Sequence, residues 1–142
     1  MKKLSQILFS ILIIFFFIFK SFASEQKDIF GIAKVIDGDT IKIDGKRIRL
    51  NGIDAPETKQ ECKNQRGIYN CGLVSKVFLE NLILSKSILC LYEQLDRYKR
   101  ILGTCHTVEN IKFKKKLTSV LGKNINREMV SNGQAVAYRK YS

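Results

Sequence analysis

At 142 residues the chain has room for one domain and leaves little length for a second. Its formal net charge of +12 suits a polyanion, nucleic acid or a membrane surface, although charge alone serves solubility equally well. The single histidine, His106, and cysteines without CxxC spacing make a zinc site a poor reading.

The chain opens as an export signal. Lys2 and Lys3 give a positive start, Ile7 to Phe19 is apolar apart from Ser10, and Ser21-Phe22-Ala23 places small residues where a peptidase reads them. The apolar run is short for a membrane span, which needs about 20 residues. Lys20 lies close to the cut, so an uncleaved anchor is the competing reading. Removing residues 1–23 takes away 23 of 142 residues and three lysines, leaving 119 residues and a formal charge of +9. Residues 24–28 read as a linker, and 24–142 as the domain.

Ile29 to Ile36 predicts a strand. Thr40 to Ile43 and Lys46 to Leu50 alternate around Asp44-Gly45, the pair a type I′ hairpin turn prefers. That turn sets Ile43 opposite Lys46, Ile41 opposite Ile48 and Thr40 opposite Arg49, with Ile41, Ile43, Ile48 and Leu50 on one face. Gly72 to Leu84 predicts a helix, since Ser75, Phe78, Leu79, Leu82 and Ile83 recur at helical spacing. Ile88 to Leu95 and Ile101 to Val108 read as strands. Glu109 to Lys123, with Lys112-Phe113-Lys114-Lys115-Lys116, reads as an exposed, mobile excursion. Asn126 is placed as the N-cap of a helix over 127–132, Gly133 suits its C′ position, and Ala135 to Tyr138 is a last apolar segment. Three strands, a helix, two strands and a helix fit an α+β architecture: an OB-fold, a five-stranded barrel with one main helix and a short second one.

Four cysteines after an export signal indicate two disulfides in an oxidising compartment, periplasmic or extracellular. Cys62 and Cys71 flank a loop. Setting Leu95 opposite Arg100 across a turn puts Cys90 opposite Cys105, so these are the expected pairs.

Two segments carry chemistry. Asp37-Gly38-Asp39-Thr40 and Arg49-Leu50-Asn51-Gly52-Ile53-Asp54-Ala55-Pro56-Glu57-Thr58 bring acids and an arginine to the ends of one strand pair. Carboxylates are the hard oxygen donors calcium takes, and arginine's planar fork matches a phosphate. Together on a basic chain they point to phosphodiester chemistry. Asp37 reads as a turn residue. The segment is not an EF-hand loop, because Ile41 and Lys42 stand where that loop needs a ligand and its glycine.

These segments, with Asp96-Arg97-Tyr98-Lys99-Arg100 and Ile125-Asn126-Arg127-Glu128-Met129-Val130-Ser131-Asn132-Gly133, resemble the staphylococcal nuclease (thermonuclease) family in its exported, cysteine-containing bacterial branch. The resemblance covers residues 29–142. It implies one Ca2+ held by Asp39, Asp54 and the Ala55 carbonyl, where many relatives have threonine. It implies Glu57 beside the attacking water, Arg49 and Arg100 on the scissile phosphate, and Arg97, Tyr98 and Tyr138 around the nucleotide. DNA and RNA are the implied partners, and no motif suggests an oligomer. Two departures stand out: Lys99 replaces a glycine usual before the second arginine, and the sequence stops soon after Tyr138 and Tyr141. They keep a second expectation open, an OB-type nucleic-acid-binding module that is catalytically weak or inactive.

Overall fold

The computed structural model describes residues 26–113 and 116–138. The proposed leader lies outside them, as does Tyr141. The chain order is β1 (Lys27–Ile32), β2 (Lys34–Asp37), β3 (Thr40–Ile43), β4 (Lys46–Leu50), β5 (Ile53–Asp54), β6 (Cys62–Asn64), β7 (Gly67–Tyr69), α1 (Cys71–Ile83), β8 (Ser87–Leu95), β9 (Ile101–Phe113), β10 (Lys116–Asn124), α2 (Ile125–Ser131) and β11 (Val136–Ala137).

One seven-stranded sheet runs β1-β8-β9-β4-β3-β2, with β10 added to β9. All its pairings are antiparallel except β4 with β9. Among the described residues the path does not close into the expected five-stranded barrel. The expected first strand is instead two. The chain breaks at Ala33, so β1 pairs with β8 while β2 pairs with β3. One bent segment therefore supplies both ends of the path.

The β3–β4 hairpin has the expected register, with Thr40 opposite Arg49 and Ile41 opposite Ile48. Its turn has φ 46° at Asp44 and 79° at Gly45, the left-handed pair a two-residue turn of this hand requires. Ile41, Ile43, Ile48 and Leu50 are all fully buried. They pack with Leu79, Leu82 and Ile83 of α1 and with Met129 of α2 in one core. Phe78 is only partly buried at its margin.

Both expected disulfides are present, Cys62–Cys71 and Cys90–Cys105. Cys90 lies directly opposite Cys105, but Leu95 faces Ile101 rather than Arg100, because a bulge between Tyr92 and Leu95 absorbs one residue.

Residues 109–123 are not an irregular excursion. β9 continues to Phe113 and pairs back through β10 from Lys116 to Asn124. Residues 114 and 115 lie outside the described ones. The second helix also starts two residues early. Asn124, not Asn126, caps it, its side chain accepting from the Arg127 N–H at 2.9 Å.

Candidate active site

The site forms where β4 ends and the chain turns through Asn51 and Gly52 into β5. Two main-chain bonds hold this turn: the Leu50 N–H donates to the Asp39 carbonyl at 2.8 Å, and the Asn51 N–H to the Gly103 carbonyl at 2.9 Å. The buried Asn126 side chain completes the tie. It accepts from the Cys105 N–H at 2.9 Å and donates to the carbonyls of Asn51 (2.9 Å) and Gly103 (3.1 Å). Asn126 is thus an internal brace for the site loop. Placing it as a cap misread its role; the alternative cap two residues earlier, Asn124, was the available signal.

Arg49 joins the two principal acids. Its guanidinium lies 2.8 Å from Asp39 Oδ2 and 2.6 Å from Asp54 Oδ1. The hairpin register put Asp39 and Arg49 at one end of the ribbon, and the structure makes them partners. Asp39 is 4% exposed, while the Asp54 side chain is 52% exposed and faces solvent. The Asp39 carboxylate also accepts from the Thr40 hydroxyl (2.9 Å) and from the Ala55 N–H (3.3 Å). Asp37 plays its turn part, accepting the Asp39 N–H at 3.2 Å.

Burial pushes the Asp39 carboxyl up from 3.8 to about 6, against the pull of Arg49 and the Thr40 hydrogen bond and with some help from Asp37. Burial also works against the Arg49 charge, but Asp39 and then Asp54 outweigh it and raise that group's pKa. A carboxyl raised in the folded state binds more protons there than in the unfolded chain, between 3.8 and about 6. Its contribution therefore destabilises progressively as pH climbs through that window. In chelator, urea unfolding of the wild type between pH 4 and 6.5 should show this fall, and Asp39→Asn should lack it. The difference between the two slopes should integrate to roughly 3 kcal/mol.

The donor chemistry fits a hard cation. Two carboxylates converge on one positive group, Arg49, so a cation is already what this geometry satisfies. The described residues hold no cluster of three or more acidic, histidine or cysteine side chains that could bind a metal. A calcium ion here would draw on Asp39, Asp54, a main-chain carbonyl and water.

The other expected residues are placed as follows. Glu57 is exposed, just after Pro56, and its backbone is anchored to Gln60: its carbonyl accepts from the Gln60 N–H at 2.7 Å and its N–H donates to Gln60 Oε1 at 3.2 Å. Tyr138 is brought alongside the turn, its N–H donating to the Gly52 carbonyl at 2.9 Å, because β11 pairs with β5. That pairing was not legible in the sequence. Arg100 precedes Ile101, which lies beside Ile48, so it belongs to the strand next to Arg49. Its ion pair is with Asp96, Nε to Oδ2 at 2.7 Å, inside its own turn. Arg97 and Arg100 both stand over the Tyr98 ring, at 4.8 and 5.3 Å, and Tyr98 is 63% exposed. The three form a small cationic and aromatic surface of the kind nucleic acid bases and phosphates use.

Lys99 holds that turn at φ 61°, a left-handed conformation that costs a side-chain-bearing residue about 1–2 kcal/mol. Lys99→Gly should therefore raise the urea unfolding free energy by about 1 kcal/mol, despite the greater freedom glycine gains when unfolded. No change in the midpoint would mean the turn has another low-energy form.

Comparison with known proteins agrees with this geometry. Residues 47–142 match the family model described as "Staphylococcal nuclease homologue". The chain is 39% identical over 116 residues to the succinoglycan biosynthesis protein ExoI of Rhizobium meliloti (80% of this chain, 54% of that protein). It is 36% identical over 120 residues to an uncharacterized endonuclease of Escherichia coli (81% and 65%), and 31% identical over 114 residues to a micrococcal nuclease of Shigella flexneri (78% and 58%). The chain thus spans between about half and two thirds of the length of these relatives. The family match begins within β4 and takes in Arg49, Asp54, Glu57 and Arg100, and on that match the chain belongs to the staphylococcal nuclease family.

Proposed function

We propose that the chain is an exported, periplasmic or secreted, calcium-dependent nuclease that hydrolyses phosphodiester bonds of DNA and RNA with little sequence preference. One observation supports it above the rest: Arg49 bridges Asp39 and Asp54 at the mouth of a loop that also carries Glu57. A binding module has no need of a buried aspartate joined to a second by one arginine.

Asp39, Asp54 and the Ala55 carbonyl would hold the ion, which when bound supplies a Lewis acid on a phosphate oxygen. Arg49 would neutralise charge building on phosphorus oxygens. Arg100 would join it after exchanging Asp96 for phosphate, with Arg97, Tyr98 and Tyr138 lining the nucleotide. Glu57, solvent-facing, would orient or deprotonate the attacking water, a contribution of ~10²–10⁴ in rate. The bent β1–β2 segment supports reading the sheet as an OB-type barrel. The chain would act as a monomer, with residues 1–23 removed; retention of that segment would tether it to the membrane.

The deciding experiment incubates purified protein with single-stranded DNA and RNA, in calcium and in chelator. Cutting in calcium alone, lost in Asp39→Ala, is expected. Binding without cutting in any divalent metal would instead establish the alternative, an OB-type nucleic-acid-binding module. The Asp96–Arg100 pair and Lys99 favour that second reading, because they hold Arg100 in its own turn.

A further inference from the structure

The β9–β10 ribbon outruns the sheet. β8 pairs with β9 only as far as Ser87 opposite Val108, whereas β9 and β10 pair on from Glu109 opposite Val120 to Phe113 opposite Lys116. In that stretch no third strand flanks the pair. A two-stranded ribbon without a core is marginal by itself. Here its base is fastened: the Lys123 N–H donates to the buried Thr107 hydroxyl at 2.9 Å, and Asn124 Nδ2 lies 3.2 Å from His106 Nε2. Further out, Ser119 donates to Asn110 Oδ1 across the strands at 2.8 Å.

The sequence of this ribbon is strongly one-sided in charge. Residues 109–123 hold five lysines, 112, 114, 115, 116 and 123, against the single acid Glu109, with Phe113 inside the run. The parallel β4–β9 register sets Leu102, near the start of β9, beside Arg49. At ~3.3 Å per residue, Phe113 is no more than about 36 Å along the strand from Leu102. Duplex DNA rises 3.4 Å per base pair, so that reach corresponds to roughly ten base pairs.

We propose that this ribbon is a phosphate-binding arm, engaging a nucleic acid strand about one helical turn away from the Asp39–Arg49–Asp54 cluster. The inference rests on the nuclease reading for its substrate class, and specifies how long substrate is held. Lysines on open strand edges also serve to block edge-to-edge association. An apolar and basic ribbon can alternatively lie on an anionic membrane. The substrate chemistry of the family and the placement of the arm on the strand beside Arg49 favour nucleic acid.

The test compares the full chain with a variant carrying Lys112→Gln, Lys114→Gln, Lys115→Gln and Lys116→Gln, none of which lies in the catalytic cluster. Binding is measured by anisotropy in chelator, with a duplex of about 30 base pairs, between about 50 and 200 mM salt. Affinity should fall roughly 10- to 100-fold at the lower salt, and the slope of log K against log salt should become shallower by about 2 to 3. Calcium-dependent hydrolysis of a four-nucleotide substrate should stay within about twofold, because that substrate does not reach the arm. An unchanged salt slope would overturn the arm. So would aggregation of the variant with unchanged affinity, which marks an edge-guarding role. Loss of binding to phosphatidylglycerol vesicles with duplex binding intact would assign the ribbon to a membrane. If neither protein cleaves anything, the nuclease reading fails while the binding measurement still decides the arm.

Discussion

Arg49→Ala should reduce calcium-dependent cleavage of single-stranded DNA by about a hundred- to a thousandfold, the usual loss for one preorganised charge donor. The guanidinium touches both Asp39 and Asp54 without phosphate, so the substitution also removes the cation nearest two acids. Those acids then attract a divalent ion more strongly, not less. The expected signature is therefore split: cleavage collapses, while the rise in Tm on adding calcium is kept or enlarged. Loss of both together would mean that Arg49 shapes the loop and has no direct part on phosphate. Arg49→Lys should recover little, because an ammonium is a point charge and cannot span two carboxylates as a fork does. Asp39→Asn should behave oppositely, losing the calcium-dependent Tm shift along with cleavage.

The parts of this site that local rules govern were legible in the sequence. Asp44-Gly45 set the turn, the turn set the register, and the register put Thr40 against Arg49 and four isoleucine and leucine side chains on one face. The same reasoning placed Cys90 against Cys105, even though a bulge shifted Leu95 by one residue. Contacts made by short or distant segments were not legible. β5 and β11 are two residues each, too short for periodicity, yet their pairing carries Tyr138 to the site loop. The ribbon was missed because lysine-rich runs suggest loops, and only strand pairing between residues 109–113 and 116–120 reveals the order. Asn126 read as a cap because its bonds to Asn51, Gly103 and Cys105 cross up to 75 positions of chain. Arg100 was correctly assigned to a turn beside the nucleotide surface, but its partner, Asp96, is four residues away and competes with phosphate.

Gly72→Ala should destabilise the protein by roughly 2–4 kcal/mol, opposite in sign to the gain of up to ~1 kcal/mol that alanine normally brings inside a helix. Gly72 lies in the first turn of α1, and a Cβ there would run into the Glu57 carbonyl oxygen and carbon. Neither obstacle is a side chain that can rotate aside. The two segments are also bound together. The Gly72 N–H donates to the Gln60 carbonyl at 3.2 Å, Gln60 donates to the Glu57 carbonyl, and the neighbouring Cys71 is tied to Cys62. Backbone must therefore separate from backbone, and the residue displaced is Glu57, the candidate water-orienting group. A displacement of about 1 Å at such a group costs on the order of a hundredfold in rate. Glu57→Gln separates the two effects: it should lower the rate by ~10²–10⁴ and leave the urea midpoint where it was, because the side chain is exposed. Gly72→Ala should lower both. An unchanged midpoint for Gly72→Ala would show that the helix and the Glu57 turn are free to move apart, and that α1 does not set the position of Glu57.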